Sequence, residues 1–136
     1  MMSCSTDRHA IVAALCDRFP SLLLAYAFGS RVEGTSAPTS DLDLAILVEG
    51  RADPLALFDA SNALAELAGC DVDLVDLRAA STIMQNQIIT RGLRLYAREP
   101  LASLFESMVL SEKLELDAAR AGLIADIERE GRVYDR

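Results

Sequence analysis

Two aspartates, Asp41 and Asp43, stand two positions apart at the head of the apolar run DLDLAILV, ten residues after a Gly29-Ser30 pair. On a β-strand, positions i and i+2 point to the same face with Cα atoms roughly 6–7 Å apart. That spacing suits oxygen donors gripping one or two hard divalent cations. Leu42, Leu44, Ile46 and Val48 alternate with the acids and fill the other face, so the carboxylates would stand on a rigid, half-buried platform. Gly29 lets the backbone come close to a ligand, and Ser30 offers a hydroxyl and an N–H to an anion. A phosphate cradle and a metal-binding pair joined by one loop imply chemistry on a nucleoside triphosphate.

Such chemistry needs the triphosphate held still, its charge neutralised, and an acceptor oxygen activated for in-line attack at the α-phosphorus. Two Mg²⁺ ions bridged by carboxylates supply most of that, one on the leaving pyrophosphate and one on the acceptor hydroxyl. A third carboxylate from a neighbouring strand would complete the cage. The segment DVDLVDL offers Asp71 or Asp73 on one face and Asp76 on the other. Asp73 lies between Val72 and Leu74, so it should sit deeper, and it is the choice over Asp71. Arg31 is a candidate for a triphosphate oxygen and Ser40 for a brace beside Asp41, although both residue types are also ordinary in a polar loop.

The elements that must position these residues can be read in order. Asp7 to Phe19 places Ile11, Val12, Leu15 and Phe19 on one helical stripe, ended by Pro20. Leu22 to Phe28 is nearly all apolar, as in a strand covered on both faces, and it runs directly into Gly29-Ser30. Arg31 to Ser40 has loop composition, and a second strand spans about Asp41 to Val48 before a turn at Glu49-Gly50. Asp53-Pro54 starts a helix carrying Leu55, Phe58, Leu64 and Leu67, with Gly69 as its stop. Asp71 to Leu77 reads as a third strand. A helix over Ser81 to Arg91, with Ile83, Met84 and Ile88 inward, precedes Gly92 and a short strand, Leu93 to Ala97. After Pro100 comes a helical tail, Ser103 to about Arg129, either one kinked helix around Gly122 or two shorter ones, packing on the sheet. The sum is an α/β (α+β) domain with a small mixed sheet flanked by helices, covering residues 1–136 with a core of about 7–98 and a tail of about 101–130.

At 136 residues the chain is long enough to bury about two-thirds of its unfolded surface but too short for a separate acceptor-binding domain. Its hydrophobic content of 51% excludes a disordered chain. A formal net charge of −8 repels polyanions, which argues against direct nucleic-acid binding and against docking on an anionic membrane. A basic protein partner fits that surface. Cys4, Cys16 and Cys70 form no CxxC pair and read as reduced thiols, and no segment resembles a signal peptide or a membrane span, so the expected location is the cytoplasm.

The spacing GSx10DxD, followed by DVDLVDL and RGLRLY, resembles the signature of the DNA polymerase β-like nucleotidyltransferases. Over roughly Leu22 to Tyr96 the chain resembles their minimal branch, MNT-domain proteins of the MntA antitoxin type. The resemblance implies a polymerase β-like minimal nucleotidyltransferase fold, ATP as substrate and two bound Mg²⁺ ions. It places Asp41, Asp43 and, in the third position, Asp73 as catalytic metal ligands, with Ser30 against the triphosphate. It also implies a partner: a HEPN-domain ribonuclease toxin of the HepT type, neutralised in a hetero-oligomer by transfer of AMP to one of its tyrosines (an EC 2.7.7-type activity). Two alternatives stand beside this expectation. One is a non-catalytic antitoxin that blocks the toxin by binding; the other is transfer of a nucleotide to a small molecule.

Overall fold

The structure, a computed structural model, describes residues 8–29 and 41–134, with side chains described through residue 123. Its elements are α1 (Arg8–Arg18), β1 (Leu22–Phe28), β2 (Leu42–Val48), α2 (Pro54–Ala68), β3 (Val72–Asp76), a 3₁₀ turn (Leu77–Ala79), α3 (Thr82–Arg91), β4 (Leu93–Ala97) and α4 (Leu101–Tyr134). The four strands form one mixed sheet in the order β3-β2-β1-β4. β1 pairs antiparallel with both β2 and β4, whereas β2 and β3 run parallel.

β1 owes its central place to its composition: Leu22 to Ala27 are all buried, which only a strand covered on both faces tolerates. One face packs against α1 and α2 through Ile11, Leu15, Leu44, Ile46, Ala60 and Leu64. The other packs against α3 and α4 through Tyr26, Ala45, Leu47, Ile88, Phe105 and Val109. A register shift in β1 between Leu22 and Leu24 puts Leu23 and Leu24 into the same cluster, so the strand changes phase once before delivering its C-terminal end to Gly29.

The helices form where expected, but their buried faces differ. α2 is capped as read: Asp53 accepts from the Leu55 N–H at 3.3 Å, Pro54 takes the first helical position, and Gly69 ends the helix at φ 79°. Its buried stripe is Ala60, Leu64 and Ala68, while Leu55 and Phe58 are 72% and 63% exposed. Small residues at either end of that stripe, Ala60 and Ala68, let the helix lie close to its neighbours around Leu64, which leaves Leu55 and Phe58 outside. α3 is also turned away from the expected face: Ile88 is buried, but Ile83 and Met84 are exposed. Gln85 takes their place, because its amide donates to the Leu77 carbonyl at 2.9 Å and satisfies the 3₁₀ turn beneath it.

The tail is one unbroken helix beginning at Leu101, two residues ahead of the expected start, with Gly122 inside it. Glu99 accepts hydrogen bonds from both the N–H and the hydroxyl of Ser103, at 2.9 and 2.7 Å, which anchors the first turn. Ala102, Phe105 and Val109 pack on the sheet, but Leu114, Leu116 and Leu123 are exposed. Packing on the sheet thus holds for the first two or three turns only. Tyr26, buried in β1, donates from its hydroxyl to Glu106, whose other oxygen lies 3.3 Å from Arg94. Burial pushes the Glu106 carboxyl above its ordinary range.

The cysteines depart from expectation in part: Cys16 is a half-buried free thiol, whereas Cys70 is disulfide-bonded. Among the described residues no helix is long and apolar enough to cross a membrane.

Candidate active site

Strand register brings the acids together. Asp43 of β2 lies directly opposite Asp73 of β3 on one side and Phe28 of β1 on the other. Directly opposed residues point to the same face of a sheet, so Phe28, Asp43 and Asp73 form one row across three adjacent strands. Asp41 stands one residue ahead of β2, not within it, and is exposed. It shares the face of Asp43 by the alternation of the chain. The Leu42 N–H donates to the Asp71 carbonyl at 2.9 Å, which fixes the level of the two parallel strands at their entry.

Register, not depth, distinguishes Asp73 from Asp71. Asp71 and Asp73 are both exposed, contrary to the expectation that Asp73 would be packed between its neighbours. Only Asp73 stands level with Asp43. Asp76 serves elsewhere: its carboxylate accepts from the Arg78 N–H at 3.0 Å and caps the 3₁₀ turn.

Gly29 has φ +86°, and a Cβ built there would lie 2.3 Å from Asp43 Oδ2. The missing side chain therefore makes room for the carboxylate itself, as well as for whatever the backbone approaches. The other nucleotide-binding candidates, Ser30, Arg31 and Ser40, lie outside the described residues.

The electrostatics of the row favour a cation. The Asp43 carboxyl is held above the ordinary carboxylate range, first by partial burial, then by the negative charge of Asp73, then by that of Asp41. Among the described residues no basic side chain offsets this repulsion. Oxygen-only donors with uncompensated charge fit Mg²⁺ or a similar hard ion. The three carboxylates are adjacent without being closed into a ready-made cage: among the described residues no group of three acidic, histidine or cysteine side chains already has ligand geometry.

A stability measurement follows from the same charges. An acid whose pKa is raised on folding weakens the folded state while it is ionised, and this penalty fades as pH falls through the raised value. It is gone below the ordinary value of 3.8. In metal-free buffer at pH 7, Asp43→Asn should therefore melt above the wild type. The gap should narrow as the pH is lowered towards 4. A gap that is the same at both ends of the titration would reject like-charge repulsion as its cause.

Beside Gly29 the row opens into a cleft of about 150 Å³, bounded by Phe28, Gly29, Met84, Gln87, Ile88 and Arg91. The exposed Met84, Gln87 and Arg91 follow one another at i, i+3 and i+7 along α3. By periodicity Met84 belongs to the core, and nothing local gives Gln87 or Arg91 a role. Their helical spacing, ahead of Gly92, was the available signal, but it became a site only when α3 was laid over the end of β1.

Residues 11–101 match the polymerase beta nucleotidyltransferase family. The protein adenylyltransferase MntA of Shewanella oneidensis is 36% identical over 121 residues, spanning 89% of this chain and 87% of the relative. A crystal structure of a toxin–antitoxin with AMP-PNP contains a chain that is 36% identical, with a TM-score of 0.77, covering 90% of this chain and 99% of that one. A structure of tri-AMPylated Shewanella oneidensis HEPN toxin in complex with MNT antitoxin contains a chain 34% identical, with a TM-score of 0.70, covering 89% and 95%.

Proposed function

From the premise that the chain belongs to the polymerase beta nucleotidyltransferase family, we propose that it is a Mg²⁺-dependent protein adenylyltransferase acting as an antitoxin. Its substrate is ATP and its acceptor is a tyrosine of a HEPN-domain, HepT-like ribonuclease toxin. The observation that carries this reading is the Asp43–Asp73 pairing on parallel strands, with Asp41 two residues ahead, in a chain that aligns over nearly its full length with MntA. The phenolic oxygen of the acceptor forms a bond to the α-phosphorus as the bond to the bridging oxygen of the β-phosphate breaks. Pyrophosphate leaves with that electron pair, and the phenol proton is lost to solvent.

Asp41, Asp43 and Asp73 are the residues to hold the metal, which when bound screens the triphosphate and acidifies the acceptor hydroxyl. Asp43 is the fixed member, half-buried and hemmed by Gly29. Asp73 stands on the edge strand β3, where a protein-borne tyrosine has access. Gly29, Ser30, Arg31 and Ser40 are the proposed nucleotide contacts. The whole chain works as one catalytic unit in the cytoplasm, with the acceptor supplied by the partner. Its net charge of −8 suits a basic, RNA-cleaving protein.

Incubating the chain with labelled ATP, Mg²⁺ and the HEPN protein encoded beside it should transfer label to that protein, and an Asp41→Asn/Asp43→Asn variant should transfer none. Failure of the wild type to label the neighbour under any metal condition would reject the proposal. The exposed stretch of α4 from Leu114 to Leu123 favours a second reading, in which the chain blocks the toxin by contact alone. Full protection of cells by the double variant would select that reading.

A further inference from the structure

The cleft beside the acid row has a chemistry of its own. The sheet order β3-β2-β1-β4 leaves β3 as an edge, so the row of opposed residues has one open flank at Asp73 and one flank over β1. In-line displacement requires the entering and leaving oxygens to lie on opposite sides of the phosphorus. A side chain carried by another protein reaches the row from the open edge. The leaving group must then lie over β1, where Phe28 and Gly29 meet α3.

We propose that Arg91 and Gln87 form the seat for the β- and γ-phosphates of the nucleotide and hold pyrophosphate as it departs; this rests on the nucleotidyltransferase reading above. The cleft measures about 150 Å³. That is below the ~300–1,000 Å³ typical of sites enclosing a whole drug-sized ligand, so it suits one end of a nucleotide. Arg91 is exposed at its rim and forms no ion pair with any described residue. Its neighbours in sequence are engaged: Arg94 pairs with Glu99 and Glu106, and Arg98 with Glu49. A planar guanidinium presents a fork of donors matched to phosphate oxygens. Gln87 adds an amide donor one helical turn away, and Gly29 leaves the backbone side of the cleft without a side chain. The electron pair released when the Pα–O bond breaks would thus settle on an oxygen facing a fixed positive charge. Arg91 acts in this account as a positioning and charge-stabilising residue of the transfer, distinct from the metal-holding acids.

The competing role for Arg91 is a purely structural one, since a cation in the last turn of a helix also favours the helix dipole. Calorimetric titration of the full chain in Mg²⁺ separates the two, using pyrophosphate, ATP and AMP as probes against wild type, Arg91→Ala and Arg91→Lys. Arg91→Ala should weaken pyrophosphate and ATP by about 10- to 100-fold, the range for loss of a charged hydrogen-bonding partner, and leave AMP unchanged. Arg91→Lys should recover part of the loss, because it restores charge without the fork. Equal weakening of AMP and ATP would overturn the assignment and make the cleft a nucleoside pocket. Unaltered binding with a lower melting temperature would overturn it in favour of the helix-end role. A wild type that binds ATP while Arg91→Ala binds it equally well rejects only this inference. A wild type that binds neither ATP nor pyrophosphate rejects the nucleotidyltransferase reading with it.

Discussion

Replacing Asp43 by Asn should lower AMP transfer to the toxin by about 10³-fold or more, corresponding to about 4 kcal/mol of barrier. Asp43 is the central member of the row, level with Asp73 and two residues from Asp41, so both pairings of carboxylates pass through it. The amide keeps the shape of the side chain but surrenders the charge and one strong oxygen donor for a hard cation. The same substitution removes the ionised group whose burial and like-charged neighbours raise its pKa, so the inactive variant should be the more stable one without metal. Activity and stability are thus expected to move in opposite directions, as at sites where strain or repulsion serves function. Initial rates of label transfer, measured beside thermal melts with and without Mg²⁺, test both halves. A variant that retains a tenth of wild-type transfer would remove Asp43 from the centre of the mechanism.

Gly29→Ala should reduce transfer by about 10²-fold although the residue carries no functional group, because small misplacements at a reacting centre are costly. The new Cβ would fall 2.3 Å from Asp43 Oδ2 and 3.2 Å from its Cγ, so the carboxylate must swing away or β1 and β2 must part. The backbone adds its own penalty, since φ at Gly29 is +86°, a region where a side chain costs roughly 1–2 kcal/mol. Gly50 separates the two effects. It has φ +74° but nothing within 4 Å of an added Cβ. Gly50→Ala should therefore lose a similar amount of stability and keep its activity. If both variants lose activity in proportion to stability, the contact with Asp43 has no catalytic weight.

Through Leu123, α4 divides into a fastened start and an exposed continuation. Its first turns are fastened by Glu99, whose carboxyl is drawn below the ordinary range chiefly by the Ser103 hydroxyl and then by the Ser103 N–H. They are also held by Phe105 and Val109 in the core. Beyond them the helix runs on without burying its leucines.

Local chemistry decided a good deal on its own. The continuous apolar run of β1 could only be a covered strand, Asp53-Pro54 and Gly69 bounded α2 where their backbone preferences require, and Asp41 and Asp43 had to share a face because side chains alternate along an extended chain. Those constraints involve neighbours within a few residues, so they are legible without a fold. Tertiary structure decided what depends on distant partners. The face of α3 that is buried was set by the Leu77 carbonyl needing Gln85, the stripe of α2 by the close approach that Ala60 and Ala68 permit, and the buried part of α4 by where the sheet ends. The site shows the same division. Three aspartates were visible in the chain, but that Asp73 stands level with Asp43, that Gly29 makes room for an acid, and that Arg91 faces a cleft beside them follow only from strand register and helix placement. Register and rotation are fixed by packing across the whole domain, and no short stretch of residues contains that information.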